Sequence, residues 1–204
     1  MEFYENSQSP ERALLIGVDT GEYNAEISME ELALLSETAG AEIIGTVIQK
    51  LEAPSPATYI GSGRMAEVAA FCRNNDIDLI IADSELTPSQ INNIETKTDT
   101  RVVDRTMLIL DIFAARARSS EGKLQVELAQ LKYSLPFLSG RGKSMSRLGG
   151  GIGTRGPGES KLESDKRHIR RRIHSLSEEL KRVEKRRDLI RSRRKKDGVI
   201  TVAI

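Results

Sequence analysis

The chain has 204 residues, of which 38% are apolar and 4% aromatic, and it contains one cysteine, Cys72. This composition is sufficient for a hydrophobic core, excludes an internal disulfide framework, and argues against a large stacking platform for single-stranded bases. No apolar run approaches the roughly 20 residues that cross a bilayer, and the N-terminus lacks the pattern of a signal peptide. We therefore expect a cytoplasmic protein with no membrane span.

The net charge of +1 conceals a strong asymmetry along the chain. Residues 141–196 contain 20 Lys or Arg and seven Asp or Glu, a net charge of +13, whereas residues 1–140 carry a net charge of −11. An acidic globular part joined to a basic segment is typical of proteins that contact nucleic acid through the basic segment. The charge distribution thus favours a nucleic-acid partner for the C-terminal half.

Residues 11–104, after a disordered tail at 1–10, predict an α/β domain with a small parallel sheet flanked by helices. Short apolar runs alternate there with amphipathic segments of helical length, a pattern that favours buried parallel strands. Ser28 and Glu31 have the spacing of a capping box for the first helix, and Thr87 is expected to cap the third. The predicted strands are 13–18, 42–48, 78–82 and 101–103, and the predicted helices are 28–38, 64–74 and 88–97.

Residues 105–197 predict a long antiparallel two-helix hairpin. Asp104 is expected to cap a helix whose apolar residues follow a spacing of four and three as far as Leu138, with a bend or break at Glu121–Gly122. The second helix, over 159–196, has a heptad seam, and a coiled coil between chains through this helix alone is the alternative. The seam consists of Leu162, Ile169, Leu176, Val183 and Ile190, with Ile173 and Leu180 between them.

A loop rich in glycine, residues 139–158, separates the two predicted helices. It holds eight glycines, four basic residues (Arg141, Lys143, Arg147 and Arg155) and no acidic residue. Glycine at this density lets backbone N–H groups and basic side chains approach a polyanion closely. We predict that the loop is the RNA-contacting tip of the hairpin. Gly198 is expected to end the second helix, before a strand at the end of the chain.

Two glycine patterns resemble dinucleotide-binding fingerprints. Residues 151–156 match G-x-G-x-x-G, but no strand precedes them and Pro157 follows. Gly61, Ser62 and Gly63 follow a short predicted strand at 58–60 and open a helix, and Asp83 lies about twenty residues further on, where a ribose-binding acid is expected. A tight turn with Ser62 as a cap is the favoured interpretation, and a phosphate site is the alternative.

No catalytic or metal-binding constellation is predicted. His168 and His174 lie six residues apart on a helix, hence on different faces, without a cysteine or carboxylate at the spacing of a metal ligand. Gly142, Lys143 and Ser144 are similar to the end of a phosphate-binding P-loop, but that pattern requires glycine at position 137, which is Phe137. The residues present do not assemble a nucleotide hydrolase.

Four segments resemble the N-terminal region of HflX-type GTPases: residues 148–169, which include the long glycine motif, and 58–63, 104–113 and 123–131. The resemblance extends from about residue 11 to the end of the chain. It implies an α/β subdomain, a two-helix subdomain and then a Ras-like GTPase domain, of which residues 198–204 would be the first strand. The P-loop would follow that strand, so we expect no GTP hydrolysis by this chain itself, whereas the full-length family uses GTP and Mg²⁺.

The same resemblance implies a partner, the large (50S) ribosomal subunit, because family members bind it and split stalled ribosomes. It places the glycine-rich loop against rRNA near the peptidyl transferase centre, and it leaves open ATP binding through 61–66. We expect a ribosome-associated monomer. The residues predicted to contact rRNA, from the basic pattern and the family motif, are Arg141, Lys143, Arg147, Gly149, Gly150, Gly151, Gly153, Thr154, Arg155, Gly158, Arg170 and Arg171.

Overall fold

The computed structural model describes residues 10–138 and 157–198, and the side chains of the last helix from residue 163. The strands are β1 (Glu11–Asp19), β2 (Ala41–Lys50), β3 (Leu79–Ala82) and β4 (Arg101–Asp104). The helices are α1 (Ala25–Thr38), α2 (Ser62–Asn74), α3 (Pro88–Thr98), α4 (Arg105–Arg116), α5 (Ser120–Ser134) and α6 (Pro157–Lys196), and a 3-10 turn at Leu135–Phe137 follows α5.

The four strands form one parallel sheet in the order β2-β1-β3-β4. This confirms the predicted α/β class and the four strands predicted at 13–18, 42–48, 78–82 and 101–103. Strand β2 lies on one side of β1, and β3 lies on the other side. The carboxyl ends of β1 and β3 therefore border a topological switch point. Ligands of open α/β sheets bind in such a crevice, which makes it the first place to test for a nucleotide site.

Alternate residues of β1 supply two hydrophobic cores, because successive side chains of a strand point to opposite faces of the sheet. Leu14 and Ile16 belong to a core that is completed by α2 and α3. Ala13 and Leu15 belong to a second core, to which α1 and α4 contribute Leu32, Leu108 and other residues. The sheet is therefore covered on both faces, as the continuous apolar strands predict.

The first helix begins earlier than the sequence pattern predicts. Asn24 is the N-cap of α1, and its side-chain oxygen accepts a hydrogen bond from the N–H of Ile27 at 3.1 Å. The predicted capping box of Ser28 and Glu31 is wrong, because Ser28 lies inside the helix and its hydroxyl accepts a hydrogen bond from Arg105 at 3.0 Å. The predicted cap of α3 is confirmed: Thr87 and Gln90 form a reciprocal capping box ahead of Pro88.

The helix that follows β4 is interrupted, and the second part folds back on the first. Asp104 caps α4 as predicted, by accepting a hydrogen bond from the N–H of Met107. The break lies just before Ser120, whereas the sequence predicts it at Glu121–Gly122. The hydroxyl of Ser119 accepts a hydrogen bond from the N–H of Gly122 at 3.0 Å, so Ser119 starts a new helix and Gly122 lies in its first turn.

Tyr133, at the end of α5, connects this helix to the α/β part. Its hydroxyl donates a hydrogen bond to the carboxylate of Asp104, which is 1% exposed and also accepts from the N–H of Leu86. Burial and the hydrogen bond to Asp104 raise the pKa of Tyr133, so the phenol stays protonated. A second link joins the side chains of Gln130 and Asp111 at 2.8 Å.

Candidate nucleic-acid interface

Helix α6 has one face that packs and one face that is solvent-exposed. The predicted heptad seam supplies the packing face: Leu176 is fully buried, and Ile169, Ile173, Leu180 and Val183 are half-buried. The prediction fails further along the helix, where Ile190 is 44% exposed. The reason is the length of α5, which begins at Ser120 and leaves the last turns of α6 without a facing helix in the described chain.

Two ion pairs join α5 and α6 among the side chains that the structure describes. Arg172 binds both carboxylate oxygens of Glu127 at 2.7 and 3.0 Å, and Arg187 binds both oxygens of Glu121 at 2.7 and 2.8 Å. The order of partners shows that the two helices run antiparallel, since the earlier acid of α5 meets the later arginine of α6. We call this helix pair the arm. The hydrogen bond to Glu127 raises the pKa of Arg172.

These ion pairs are not among the predictions from the sequence, although the positions of the acidic residues in α5 indicate them. Glu121 and Glu127 are the only acidic residues of α5, and both are engaged by arginines of α6. Glu127 lies four residues before Leu131, on the same side of the helix as the predicted apolar spacing. Acids beside an apolar seam, opposite a helix rich in arginine, indicate interhelical pairing.

On the opposite face of α6, three arginines are exposed and have no ion-pair partner among the described residues. Arg167, Arg170 and Arg171, which we call the outer arginines, lie three and four residues apart, on the side away from Ile169 and Ile173. Within the described residues none of the three has an ion-pair partner. Two of them, Arg170 and Arg171, are among the residues predicted to contact rRNA.

Positive charge continues to the end of α6. Lys181 pairs with Glu178 at 2.9 Å, and Arg193 lies 3.9 Å from Asp197, so acids neutralise part of this charge within the helix. Overall, α6 holds 16 Lys or Arg against seven Asp or Glu, an excess that these pairs cannot cancel. Both histidines of the helix, His168 and His174, are exposed. Further exposed cations without a partner in the described chain are Lys185, Arg186, Arg191, Arg194, Lys195 and Lys196.

The glycine-rich loop lies outside the described residues, except for its last two positions. Gly158 is in the first turn of α6, after Pro157 at the first position. Gly198 has the left-handed conformation (φ +69°) at the other end, and its N–H donates to the carbonyl of Lys195, so the predicted end of the helix is confirmed. The other predicted loop contacts, which lie outside the described chain, are Arg141, Lys143, Arg147, Gly149, Gly150, Gly151, Gly153, Thr154 and Arg155.

The glycine turn at 61–63 does not have the geometry of a dinucleotide fingerprint. The strand predicted at 58–60 is wrong: Tyr59 has a left-handed backbone (φ +65°) and pairs only with Ser55, in an isolated bridge. Gly61 is the N-cap of α2, so Ser62 is the first helical residue rather than the cap. The N–H of Gly61, which a phosphate would need, donates to the side chain of Gln49 at 2.8 Å.

Asp83, the acid predicted for a ribose, already has a strong partner. Its side chain is 2% exposed, and one carboxylate oxygen accepts two hydrogen bonds from Arg105, at 2.7 and 3.1 Å. Arg105 also binds the carbonyl and hydroxyl of Ser28 and forms an ion pair with Glu31 at 3.2 Å. Burial alone would lower the pKa of Arg105, but the two carboxylates outweigh it and raise this pKa. The cluster ties β3, α4 and α1 together.

Tyrosine side chains bridge the backbone at the switch point between β1 and β3. The N–H of Val18 donates to the hydroxyl of Tyr59 at 3.2 Å, and the carbonyl of Val18 accepts from the hydroxyl of Tyr23 at 3.0 Å. Tyr59 is 1% exposed and also contacts the hydroxyl of Ser84, and burial raises its pKa. These contacts use polar groups that a ligand in the crevice would need. The nucleotide alternative is therefore not favoured.

Two other kinds of site are absent from the described residues. No group of three or more His, Cys, Asp or Glu side chains in that part of the chain could hold a metal ion. No helix among residues 10–138 and 157–198 is both long and apolar enough to cross a membrane.

Comparison with known families agrees with the division seen in the structure. Residues 26–114 match the family model described as GTP-binding GTPase N-terminal, and residues 116–194 match the one described as GTP-binding GTPase Middle Region. The junction between the two matches, at residue 115, lies next to the end of α4 at Arg116. The chain therefore contains two consecutive regions of a GTP-binding GTPase.

Individual relatives identify the family. The GTPase HflX of Caldanaerobacter subterraneus subsp. tengcongensis is 53% identical over 200 residues, which are 98% of this chain and 46% of that protein. The GTPase HflX of Escherichia coli is 38% identical over 201 residues, with 98% and 47% coverage. The chain belongs to the HflX-type GTPase family and corresponds to its N-terminal part. It spans about half the length of the curated relatives it matches.

Solved structures of similar proteins have a related fold. The crystal structure of a complex of SsGBP and GDP superposes with a TM-score of 0.62 at 27% sequence identity, and the match covers 87% of this chain and 45% of that one. A GTP-binding protein from the hyperthermophilic archaeon Sulfolobus solfataricus, in complex with GDP, gives a TM-score of 0.57 at 26% identity, with 85% and 46% coverage.

Proposed function

We propose that this chain is the ribosome-binding region of an HflX-type GTPase and contacts rRNA of the large (50S) subunit through the arm and the glycine-rich loop. One observation carries the proposal: the outer arginines are exposed, close together and unpaired in the described chain, on the face of α6 that points away from α5. Unpaired guanidinium groups along a helix favour phosphate contacts, because each such contact releases counterions from the nucleic acid.

The arrangement of acids supports this proposal. Residues 1–104 contain 19 Asp or Glu and six Lys or Arg, so a polyanion is repelled by this part and attracted to α6. The two acids of α5 pair with Arg172 and Arg187 on the inner side of the arm. The outer side keeps its positive charge. An approaching rRNA would thus be oriented toward one face of the molecule.

The finer contacts in the proposal come from the family motif. We place the glycine-rich loop at the tip of a hairpin formed by α5 and α6, where Arg147 and Arg155 would bind rRNA phosphates and the glycines would permit close backbone approach. Gly158 at the end of the loop, and Arg170 and Arg171 of α6, complete this set. The partner is the 50S subunit, and the chain would act as a ribosome-associated monomer in the cytoplasm.

We propose that catalysis belongs to the part of the full-length HflX-type GTPases that lies outside the region similar to this chain. The curated relatives are named GTPases, and the similar crystal structures contain GDP. We place GTP and Mg²⁺ binding, and GTP hydrolysis, in that other half, and we assign binding without hydrolysis to the present chain. The full-length protein would then use GTP hydrolysis to split or rescue ribosomes.

Binding to purified 50S subunits at several salt concentrations tests the proposal. The test variant replaces the outer arginines together (R167Q, R170Q and R171Q), and we expect the slope of log K against log salt to fall by about two to three. The control variant removes the same amount of charge from exposed cations of the α/β part, Lys50, Arg73 and Lys97 (K50Q, R73Q and K97Q). We expect no loss of affinity from the control variant.

Two outcomes contradict this proposal. Binding that does not depend on salt would exclude phosphate contacts as the source of affinity. Equal weakening in the two triple variants would mean that total charge, rather than the outer face of α6, determines binding. Circular dichroism of both variants confirms in parallel that α6 remains helical, so that a loss of binding is not a loss of structure.

A further inference from the structure

Helix α1 has an apolar stripe on the face that points away from the sheet. Its buried side chains (Ala25, Met29, Leu32 and Ser36) occupy one face, with spacings of four, three and four. Ile27 and Leu34, which we call the α1 stripe, lie on the opposite face and are 62% and 65% exposed. Ile27, Glu30 and Leu34 are three and four residues apart, so they lie on one face of the helix. Helix α1 therefore has an exposed apolar face in addition to its buried one.

Exposed carboxylates lie beside the α1 stripe. Glu26, Glu30 and Glu37 are exposed, and none has an ion-pair or hydrogen-bond partner within the described chain. Glu31, on the side toward α4, is the exception, because it pairs with Arg105. No Lys or Arg occurs in residues 20–40, so every charged side chain that α1 itself carries is acidic. This surface would repel nucleic acid, and it is distinct from the outer arginines.

We propose that the α1 stripe is a docking surface for a basic amphipathic helix of a partner protein. An apolar seam with acidic flanks is complementary to a helix that has apolar residues at spacings of three and four and Lys or Arg beside them. The apolar contacts would supply affinity, while Glu26, Glu30 and Glu37 would select a cationic partner and orient it. This inference does not depend on the proposed binding to rRNA, because it uses another surface and another class of partner.

A designed helical peptide with leucine in the seam and lysine on its flanks is a direct probe. Its binding to the full chain is measured by fluorescence anisotropy, beside a peptide of the same composition in scrambled order and one with glutamate in place of lysine. We expect only the amphipathic lysine peptide to bind. Ile27→Gln combined with Leu34→Gln should weaken it about tenfold, because the seam of the surface is lost.

Phe113 of α4 provides the matched control, since it is a large apolar side chain, 59% exposed, outside the α1 stripe. Phe113→Gln should leave the affinity unchanged. Glu26→Gln combined with Glu30→Gln should weaken binding at low salt and have little effect at high salt, because screening removes the charge contribution there. These substitutions are at exposed positions and leave both hydrophobic cores intact.

Three results overturn the proposal. Equal binding of the scrambled peptide would show that charge alone attracts the probe. Equal weakening by Phe113→Gln would show that the α1 stripe is not the contact surface. Sedimentation at a mass of two chains, abolished by Ile27→Gln with Leu34→Gln, would make a second copy the occupant instead of a basic helix. None of these results affects the salt-dependent binding of 50S subunits, which involves α6.

Discussion

Leu176→Ala tests whether the arm depends on a single buried side chain. Leu176 is the only side chain of α6 that is fully buried in the described chain, and the seam residues on either side of it, Ile173 and Leu180, are half-buried. Replacing a buried leucine by alanine costs about 2 to 5 kcal/mol, depending on how far the site collapses. Because the neighbouring side chains are near the surface and can move inward, we expect the lower end, about 2 kcal/mol.

Hydrogen exchange of the native protein is the appropriate measurement, because it resolves the opening of the arm from the unfolding of the sheet. A loss of about 2 kcal/mol corresponds to roughly 30-fold faster exchange of the α6 amides that open with the arm. Leu189→Ala is the control: the residue type and the helix are the same, but Leu189 is 71% exposed. We expect less than about 0.5 kcal/mol there, since surface substitutions have small effects.

Two results would refute this reasoning. If Leu189→Ala accelerated exchange as much as Leu176→Ala, loss of helix propensity or a contact with residues outside the described chain would determine the stability of α6. If the amides of β1 and β3 lost the same protection as those of α6, the arm and the sheet would unfold as one unit. The seam between α5 and α6 would then not be an independent element.

Two further substitutions test contacts in the α/β part. Arg105→Ala leaves the buried carboxylate of Asp83 without its ion pair, so we expect the free energy of unfolding, measured in urea, to fall by about 3 to 5 kcal/mol. The control, Arg101→Ala, removes an exposed ion pair and should lower it by less than about 1 kcal/mol. Tyr133→Phe should reduce the alkaline loss of stability. The pKa of Tyr133 is raised in the folded state, so its contribution is complete below its ordinary pKa of about 10 and is lost as the pH rises above it; urea midpoints between pH 8 and 11 measure this.

The centre of the sheet could be predicted because β1 and β3 contain nearly continuous apolar runs. Leu14, Leu15 and Ile16 are all fully buried, as a strand covered on both faces requires. The helix caps Thr87 and Asp104 could also be predicted, because each residue directly precedes a helix and has a side chain that accepts a backbone hydrogen bond. The strands and these two caps are determined by neighbouring residues in the sequence, so they could be predicted from it.

Other features depended on residues far apart in the chain. Ser28 has the local signature of a cap, but Asn24 competes for that role four residues earlier, and Ser28 instead binds Arg105, 77 residues away. Tyr59 follows no strand pattern, and its role appears only when its hydroxyl meets Val18, 41 residues away. Ile190 fits the heptad seam perfectly well, and it is exposed only because α5 begins too late to cover it.

The proposed binding to rRNA depends on where the charges of the chain lie rather than on their sum. If total charge determined the proposed binding to rRNA, a chain with a net charge of +1 would bind weakly. Instead, 19 of the 30 acids lie in residues 1–104, and the two acids of α5 hold the inner arginines Arg172 and Arg187. Arg172 and Arg187 are thereby paired on the face of α6 toward α5, while the outer arginines are in solvent. A partner with closely spaced phosphates would bind to the face that carries the outer arginines. The α1 stripe lies in the acidic part of the chain, which would repel the same partner.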